Sequence, residues 1–378
     1  MNSSIEFKKY ACWYIFNDNF KTKIMDKMKA ARWYAAKDIR VEETSIPIPK
    51  DNQVKIAVKF TGICGSDLHE YSNGPQLIPV DQPYSLNGHQ GTTTLGHEFS
   101  GVVEEVGNNV KNIKKGDRVT VEPIFRNPES PFITTGEYNL SEPLGFVGLT
   151  SNGGFAKYTV VEDYMVHKMP ETMSFEQGAI VEPAAVAAYG LQQSGMKMGD
   201  TVFVAGAGPI GLLTVQVALA SGASQIFVSD VSDNRLKKAK EVGATHTFDA
   251  RNKDIPQKIR ELTGHGVDVF IDAAGVQASF DTGINSLRNG GTAVLVALFM
   301  NKVQHNALDQ AMRELTIKGI IGYRNIFPEV IALISSGRVP VEKLVTSVIS
   351  LNEIVEKGFE ALINDPSEVK ILVDINRQ

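Results

Sequence analysis

A glycine-rich segment between two apolar runs is the feature that most restricts how this chain can fold. The segment Gly206-Ala-Gly208-Pro-Ile-Gly211 follows the apolar run Thr201–Ala205 and precedes a helix-like stretch that continues to about Ser221. The first glycine permits a tight turn, the second lets the backbone approach a pyrophosphate, and the third allows close packing of a helix on a strand. The spacing therefore predicts a strand, a turn and a helix whose N-terminus binds the phosphates of a dinucleotide.

An acidic residue after the next apolar run bears on which dinucleotide would bind. Asp230 follows Gln225–Ser229, about 20 residues beyond the glycines, where a carboxylate accepts hydrogen bonds from the adenosine ribose and repels a 2′-phosphate. This position favours NAD over NADP. Arg235 leaves an alternative open, since it could meet a 2′-phosphate or flank the adenine of NAD. A second alternative is an ordinary glycine turn in which Asp230 only caps a helix.

The second half of the chain has the pattern of a doubly wound sheet. After about Ala184, short apolar runs alternate with helical stretches, which predicts a parallel α/β sheet. The predicted strands are Thr201–Ala205, Gln225–Ser229, Val267–Ile271, Gly291–Ala297 and Ile317–Gly322. The stretch from Thr201 to Ser229 carries no charge and is long enough for a membrane span. Its glycines and proline instead favour a turn between buried elements, so we expect no membrane segment.

The first half of the chain has the pattern of a β-rich core. Runs such as Val54–Phe60 and Gly101–Val106 alternate apolar and polar residues, and a long excursion rich in turn-forming residues covers Glu122–Gly154. Near the C-terminus, two strand-like runs surround an amphipathic helix near Glu353–Leu362. These runs, Leu344–Leu351 and Lys370–Ile375, could complete either half of the molecule.

Charge and cysteine content exclude several classes of protein. The net charge of −5 provides no basic surface for nucleic acid. The 378 residues contain only two cysteines, Cys12 and Cys64, too few for a disulfide framework or a four-cysteine structural zinc site. With no segment typical of a signal peptide, we expect a cytoplasmic protein. Residues 1–27 are lysine-rich and lack a clear period, which favours an extension of little role over a targeting segment.

Two short motifs supply the donor atoms of a catalytic metal. Cys64, Ser66, Asp67 and His69 lie within six residues, and the pair His97-Glu98 directly precedes a predicted strand. A catalytic zinc takes three protein ligands among sulfur, nitrogen and oxygen and keeps one position open. Cys64, His97 and one glutamate provide such a set. Taken singly, a lone cysteine is more often a small buried side chain and a lone histidine an ordinary core or surface group.

These motifs carry a resemblance to a known family. The stretch Gly96-His97-Glu98-Phe-Ser-Gly101, with Gly107 and Val110 after it, resembles the zinc-containing alcohol dehydrogenase signature of the medium-chain dehydrogenase/reductase superfamily. The Cys64–His69 motif, Glu182 and the glycine-rich segment follow in the family's order, and the resemblance extends from about Met28 to the C-terminus. The chain is most similar to the polyol branch of sorbitol and 2,3-butanediol dehydrogenases. The features that favour the butanediol members are the Pro75–Thr94 loop, the run Cys64–Tyr71, and the runs Leu144–Leu149, Gly153–Ala156 and Tyr164–Lys168.

The resemblance implies which residues would bind a catalytic zinc. Cys64 and His97 would bind the metal, and Glu98 would be a ligand or lie close to one. Glu182 would bind directly, through water, or in exchange with Glu98, so the choice between the two glutamates is open. The family's four-cysteine loop for a structural zinc has no counterpart here, because Glu122–Gly154 contains no cysteine. One catalytic zinc per subunit is therefore expected.

The resemblance also implies roles in proton transfer and cofactor binding. Ser66 would pass the proton of the substrate hydroxyl toward the nicotinamide ribose, and His69 would pass it to solvent. Beyond the three glycines of the turn, the residues that match cofactor-contacting positions are Ile210, Asp230 and Arg235, with Val296 and Leu298 beside the nicotinamide. Glu182 and Tyr323 are candidates for contacting a second substrate hydroxyl, with simple packing or capping as the alternative.

The implied architecture is a GroES-like catalytic domain into which a Rossmann domain is inserted. The catalytic domain would comprise residues 28–183 and 325–378, and the Rossmann domain residues 184–324, with the active site in the cleft between them. The implied reaction is the reversible, NAD-dependent oxidation of a vicinal diol, such as 2,3-butanediol to acetoin, by hydride transfer from a zinc-bound alkoxide. The implied partners are a small diol or ketone and further copies of the chain in a dimer or tetramer.

Two other functions remain as alternatives at this point. One is a sorbitol- or L-iditol-type polyol dehydrogenase, which differs from the first only in substrate. The other is a nucleotide-binding protein with a decayed catalytic site that serves as a sensor or structural module. The intact thiol, imidazole and glutamates argue against the second alternative.

Overall fold

The computed structural model describes residues 26–377. Residues 1–25, which include Cys12 and most of the predicted extension, lie outside the described residues. The strands are β1 (Lys27–Ala35), β2 (Asp38–Ser45), β3 (Gln53–Gly62), β4 (Thr93–Thr94), β5 (Glu98–Val106), β6 (Arg118–Val121), β7 (Tyr158–Glu162), β8 (Val166–Lys168), β9 (Thr201–Ala205), β10 (Gln225–Asp230), β11 (His246–Asp249), β12 (Val267–Asp272), β13 (Leu287–Leu295), β14 (Thr316–Gly319), β15 (Val345–Ser350) and β16 (Lys370–Asp374). The α-helices are α1 (Gly65–Asn73), α2 (Pro131–Thr134), α3 (Phe175–Ala179), α4 (Val181–Ser194), α5 (Pro209–Ala220), α6 (Asp233–Glu241), α7 (Ile255–Thr263), α8 (Gln277–Ser286), α9 (Ala307–Met312), α10 (Phe327–Ser335) and α11 (Glu360–Asn364).

Six strands form the parallel sheet that the second half of the sequence predicted. Their order is β11-β10-β9-β12-β13-β14, and every neighbouring pair is parallel. Residues Val202–Ala205 and Ile226–Asp230 are all buried, because helices cover both faces of a parallel sheet. The order in which strands are added reverses between β9 and β12. At such a reversal a crevice forms at the carboxyl ends of the two strands, and parallel sheets bind nucleotides there. The predicted doubly wound fold is confirmed.

Several predicted elements have different bounds in the structure. The predicted strand Gly291–Ala297 is the later part of β13 and ends at Leu295, and the predicted strand Ile317–Gly322 ends at Gly319. The short strand β11 was not predicted, because only one of its four residues, Phe248, is apolar and none is fully buried. The helix expected near Glu353–Leu362 is instead a 3₁₀ turn, a π turn at Ile354–Phe359 and the short α11.

The first half of the chain forms two sheets that position the candidate site, and their strands pair antiparallel except for the parallel pair β15 and β16. One sheet has the order β15-β16-β3-β5-β6-β8, with β7 also paired to β3, and β1 joins β2 and β4 in a second sheet. The C-terminal strands thus join the N-terminal sheet, as the resemblance implied. Strands β3 and β5 are antiparallel with Gly62 opposite Glu98. The residues that follow β3 and the residues that precede β5 therefore lie side by side at one end of these two strands.

The uncharged stretch 201–229 lies inside the parallel sheet region. It forms β9, the glycine turn, the largely buried helix α5 and most of β10. Across residues 26–377, no helix combines the length and the apolar character that a membrane crossing requires.

Candidate active site

The antiparallel pairing of β3 and β5 brings three candidate metal ligands together. Cys64 is the N-cap residue between β3 and α1, His97 directly precedes β5, and Glu98 is the first residue of β5. Their sulfur, nitrogen and oxygen ligand atoms all lie within 4.8 Å of one another. His97 and Glu98 are buried and Cys64 is half-buried. We call these three residues the ligand trio; among the described residues it is the one group of three or more such side chains that could hold a metal ion.

Asp67 forms hydrogen bonds to both segments that carry the ligand trio, the one at Cys64 and the one at Gly96 before His97. Its carboxylate accepts the backbone N–H of Cys64 at 3.0 Å and that of Gly96 at 3.3 Å. It also lies 3.5 Å from Nδ1 of His97. Burial alone would lower the pKa of His97, but the charges of Asp67 and Cys64 raise that pKa well above its ordinary value. The electrostatics of this site therefore favour positive charge.

Lys370 holds one side of the Glu98 carboxylate. Its ammonium donates to Oε2 of Glu98 and, at 3.0 Å, to the carbonyl of Ile63. Burial lowers the pKa of Lys370, and Glu98 more than offsets this and raises it. A Cβ at Gly62 would overlap Oε2 of Glu98 and press against the side chain of Lys370, so a larger residue there would displace this pair. The other oxygen of Glu98, Oε1, takes no part in this contact.

The trio has a buried polar atom that a cation would satisfy. Oε1 of Glu98 has no hydrogen-bond partner within residues 26–377, whereas Nδ1 of His97 faces the carboxylate of Asp67. Buried polar atoms of folded proteins almost always have partners, and exceptions call for an explanation. One thiol, one imidazole and one carboxylate are the donor types that catalytic zinc sites use. The residues present therefore fit a zinc ion.

Glu182 lies beside the trio but not within it. It occupies the first turn of α4, is buried, and accepts a hydrogen bond of 2.7 Å from the hydroxyl of Tyr323. Burial raises the pKa of Glu182 to about 7, with His97 opposing and Glu98 reinforcing the shift. The geometry thus groups Glu98, rather than Glu182, with Cys64 and His97. Glu182 and Tyr323 form a separate polar pair next to them.

Ser66 and His69 follow one another on the same face of α1. The hydroxyl of Ser66 lies 3.1 Å from Nε2 of His97, and the side chain is half-buried. His69, one turn later, is exposed to solvent. The two side chains therefore lead from the trio toward the surface.

The glycine turn has the geometry that the sequence predicted. Gly206 has φ +94°, a conformation that favours glycine, and a Cβ at Gly211 would collide with the carbonyl of Gly206. A Cβ at Gly208 would meet no atom within 4 Å, so the turn is open in front of the N-terminus of α5. This open space at a helix N-terminus fits the phosphates of a dinucleotide.

The remaining predicted cofactor residues lie on β10 and on the segments that follow strands of the parallel sheet, and Asp230 contacts the glycine turn itself. The carboxylate of Asp230 accepts the N–H of Ala207 at 2.7 Å and that of Ser232 at 2.9 Å, so it supports the turn as well as facing it. Half-buried side chains are found at Ile210, Arg235 and Val296, whereas Leu298 is exposed. The structure therefore places all of these residues at the carboxyl edge of the sheet or on the elements that follow it.

Sequence reasoning missed the supporting roles of Asp67 and Lys370. Asp67 stood in the quoted motif without an assigned role. Lys370 opens the strongly apolar run Ile371–Val373 at the start of β16 and is only 2% exposed. A lysine beside so apolar a strand is a signal that the sequence did contain, since buried lysines are rare without a partner.

Comparisons with known proteins show the family to which the chain belongs. The family model of the alcohol dehydrogenase GroES-like domain matches residues 50–171, and that of the zinc-binding dehydrogenase matches residues 209–336. The chain is 46% identical over 350 residues to (R,R)-butanediol dehydrogenase of Bacillus subtilis (strain 168), covering 92% of this chain and 100% of that one. The chain belongs to the zinc-binding dehydrogenase family. It is also 36% identical over 333 residues to sorbitol dehydrogenase of Gallus gallus, covering 87% of this chain and 90% of that one.

Solved structures of this family share the fold of the chain. The crystal structure of 2R,3R-butanediol dehydrogenase from Bacillus subtilis superposes with a TM-score of 0.87 at 46% identity, covering 92% of this chain and all of that one. A structure from Sinorhizobium meliloti 1021, described as a zinc-binding dehydrogenase bound to NADP, gives 0.84 at 32% identity and covers 93% and 100% of the two chains. The resemblance found in the motifs is confirmed, as are the fold and the class of alcohol or polyol dehydrogenase.

Proposed function

We propose that this dehydrogenase oxidises a vicinal diol, 2,3-butanediol to acetoin, with NAD as the hydride acceptor, and catalyses the reverse reaction. The observation that carries the proposal is the ligand trio with the Glu182–Tyr323 pair beside it. The similarity to (R,R)-butanediol dehydrogenase, which spans the whole of that relative, supports it. In the balanced reaction, a diol and NAD⁺ give a hydroxyketone, NADH and a proton.

Cys64, His97 and Glu98 would hold one zinc ion per subunit. When bound, zinc lowers the pKa of a coordinated alcohol, so that the alcohol loses its proton near neutral pH. Lys370 would keep Oε2 of Glu98 engaged and leave Oε1 for the metal, and Asp67 would keep the Cys64 and His97 segments together. A structural zinc is not part of the proposal, since the chain has too few cysteines for a four-cysteine site.

Ser66 and His69 would carry the released proton to solvent. Ser66 lies against His97 and is half-buried, so its hydroxyl is in a position to accept the proton of the substrate hydroxyl. Ser66 would pass the proton on to the nicotinamide ribose, and exposed His69, one helical turn away, would pass it from the ribose to solvent. The reacting groups themselves stay shielded, because His97, Glu98 and Glu182 are all buried.

The preference for NAD would come from Asp230. Its buried carboxylate stands at the end of β10 beside the glycine turn, where it would accept the ribose hydroxyls and repel a 2′-phosphate. Ile210 and half-buried Arg235 would line the adenosine side of the cofactor. Val296 and Leu298 would lie beside the nicotinamide.

The second hydroxyl of the diol would bind the Glu182–Tyr323 pair. Both side chains are buried, and because Tyr323 donates its hydroxyl proton to Glu182, the oxygens of the pair are held in place as acceptors for the second substrate hydroxyl. A site built to hydrogen-bond a substrate hydroxyl discriminates strongly against an analogue that lacks it. The pair would therefore select diols over simple alcohols.

A panel of alcohols tests the proposed substrate. NADH formation would be measured with (2R,3R)-butanediol, meso-butanediol, sorbitol, threonine, 2-butanol and ethanol, and repeated with NADP as the acceptor. We expect (2R,3R)-butanediol to give the highest kcat/KM, with NAD preferred to NADP. A strong preference for sorbitol would replace the proposal by its alternative, a sorbitol- or L-iditol-type dehydrogenase, which the similarity to sorbitol dehydrogenase favours.

The chain would act as a homo-oligomer in the cytoplasm. The edge strand β14 leaves Thr316, Lys318 and Gly319 exposed, so one side of the parallel sheet has an open edge. The adjoining helix α9 presents Leu308 and Met312 at 70% and 75% exposure. A second copy of the chain would cover this edge, and a reducing cytoplasm would keep the thiol of Cys64 available as a ligand.

A further inference from the structure

The segment that leaves the parallel sheet, residues 320–326, carries Tyr323 into the candidate active site. Tyr323 is fully buried against Glu182. The residues close to it have left-handed backbone, with φ +54° at Gly322 and φ +49° at Asn325. A left-handed conformation costs a non-glycine residue about 1 kcal/mol, although asparagine tolerates it better than most. Something outside the segment must therefore hold its backbone in place.

Three consecutive residues of the excursion hold this segment on both sides of Tyr323. Asn139 donates from Nδ2 to the carbonyl of Ile321 at 2.9 Å. The backbone N–H of Asn325 donates to the hydroxyl oxygen of Tyr138 at 2.6 Å. We call Glu137, Tyr138 and Asn139 the clamp.

The guanidinium of Arg324 adds a third connection to the clamp. It donates to Oδ1 of Asn139 and to Oε1 of Glu137, each at 3.0 Å. The clamp therefore contacts Ile321, which precedes Tyr323, and both Arg324 and Asn325, which follow it. The contacts of the clamp span the two halves of the molecule.

The clamp is in turn fixed to the antiparallel sheet. The hydroxyl of Tyr138 donates to Oε1 of Glu122 at 2.5 Å, and Glu122 directly follows β6. His167 of β8 lies 2.9 Å from the other oxygen of Glu122. The guanidinium of Arg126 covers the ring of Tyr138 at 3.9 Å. Since Glu122, Tyr138 and Asn139 are all buried, this network has little freedom to move.

We propose that the clamp is a positioning device that fixes the hydroxyl of Tyr323 against Glu182 and so sets the selectivity for vicinal diols over simple alcohols. The inference rests on the proposed function, because it assigns the second substrate hydroxyl to Tyr323 and Glu182. The excursion Glu122–Gly154 contains no cysteine for a structural zinc. In this proposal it takes part in substrate selection instead, through hydrogen bonds to the 320–326 segment.

The variants Tyr138→Phe and Asn139→Ala test the clamp. Each removes hydrogen bonds to the 320–326 segment and leaves Tyr323, Glu182 and the ligand trio in place. We expect kcat/KM for (2R,3R)-butanediol to fall about tenfold, mainly through KM, as one lost hydrogen bond would predict. The kcat/KM for 2-butanol, which has no second hydroxyl, should stay within about twofold. The zinc content should stay at the wild-type value.

Tyr84→Phe is the matched control. Tyr84 is as buried as Tyr138, but its hydroxyl bonds to the carbonyl of Pro143 rather than to the 320–326 segment. This control should keep the wild-type ratio of the two kcat/KM values. An unchanged ratio in both clamp variants, or an equal fall for both substrates, would overturn the inference while leaving the proposed function intact. A wild-type enzyme without preference for the diol over 2-butanol would overturn the proposed function and the inference together.

Discussion

At the scale of single residues, the candidate site depends on how a few buried polar groups share their hydrogen bonds. Asp67 joins the two segments that carry Cys64 and His97, and Lys370 engages one oxygen of Glu98. The trio could be proposed from the sequence because its members stand in two short motifs. Lys370 is far from them along the chain, so its contact with Glu98 exists only through the pairing of β16 with β3.

Replacement of the thiol ligand should remove the metal. Cys64→Ser exchanges the sulfur ligand for a hydroxyl, which binds zinc weakly. We expect the purified wild type to hold about one zinc per subunit and the variant almost none, with a loss of kcat of more than about 100-fold. Elemental analysis and NADH formation measure the two effects. The control variant Cys12→Ser should keep the zinc content and the kcat of the wild type. Full activity of metal-free protein would contradict the zinc mechanism.

At the scale of secondary-structure elements, patterns in the sequence were informative where burial is regular. The apolar runs of β9 and β10 and the glycine turn between them were predicted because a parallel strand is buried on both faces. The strand β11 was missed because it is only half-buried and its pattern is weak. The C-terminal π turn was read as a helix because its apolar residues have nearly helical spacing.

Asp268 connects three neighbouring strands of the parallel sheet. From β12 it accepts hydrogen bonds from the N–H and the hydroxyl of Thr201 in β9, both at 2.8 Å, and from Arg288 in β13 at 2.6 Å. Burial raises its pKa, but the hydrogen bonds from Thr201 and Arg288 outweigh burial and lower it. The ionised form is therefore the one that stabilises the folded protein.

The variant Asp268→Asn should lower stability in a pH-dependent way. Because the folded pKa is depressed, the contribution of Asp268 is present above the unfolded pKa of about 3.9 and disappears as the pH falls through the folded value. We expect a loss of about 1–2 kcal/mol at pH 7 that shrinks steadily between about pH 5 and pH 3. Thermal unfolding of both proteins at several pH values measures it. The exposed pair of Asp254 with Lys258 provides a control, since Asp254→Asn should change little. A pH-independent difference would contradict this account.

At the scale of the whole molecule, the two halves of the chain meet around the candidate site. The antiparallel sheets supply the ligand trio, α4 supplies Glu182, and the segment after β14 supplies Tyr323. The six-stranded parallel sheet has an exposed edge strand, β14.

Charges placed on α9 should dissociate the proposed oligomer. The double variant Leu308→Lys with Met312→Lys puts two like charges on the apolar face next to β14, where two copies would bring them close together. We expect a lower molar mass in light scattering after size-exclusion chromatography, with the far-UV circular dichroism unchanged. Met198→Lys is the control, because Met198 is 88% exposed but lies elsewhere. An unchanged oligomer in the double variant would exclude this face as the interface.

The sequence by itself determined the fold class, the glycine turn and the ligand candidates, because each of these is encoded in short, contiguous stretches whose spacing has a local physical meaning. Only the tertiary structure shows that Cys64, His97 and Glu98 lie within 4.8 Å of one another while Glu182 pairs with Tyr323, since these contacts depend on strand register and on buried hydrogen bonds between distant residues. The same holds for the clamp. Its residues at 137–139 and the segment at 320–326 are distant in the chain, and no local pattern records a hydrogen bond between them.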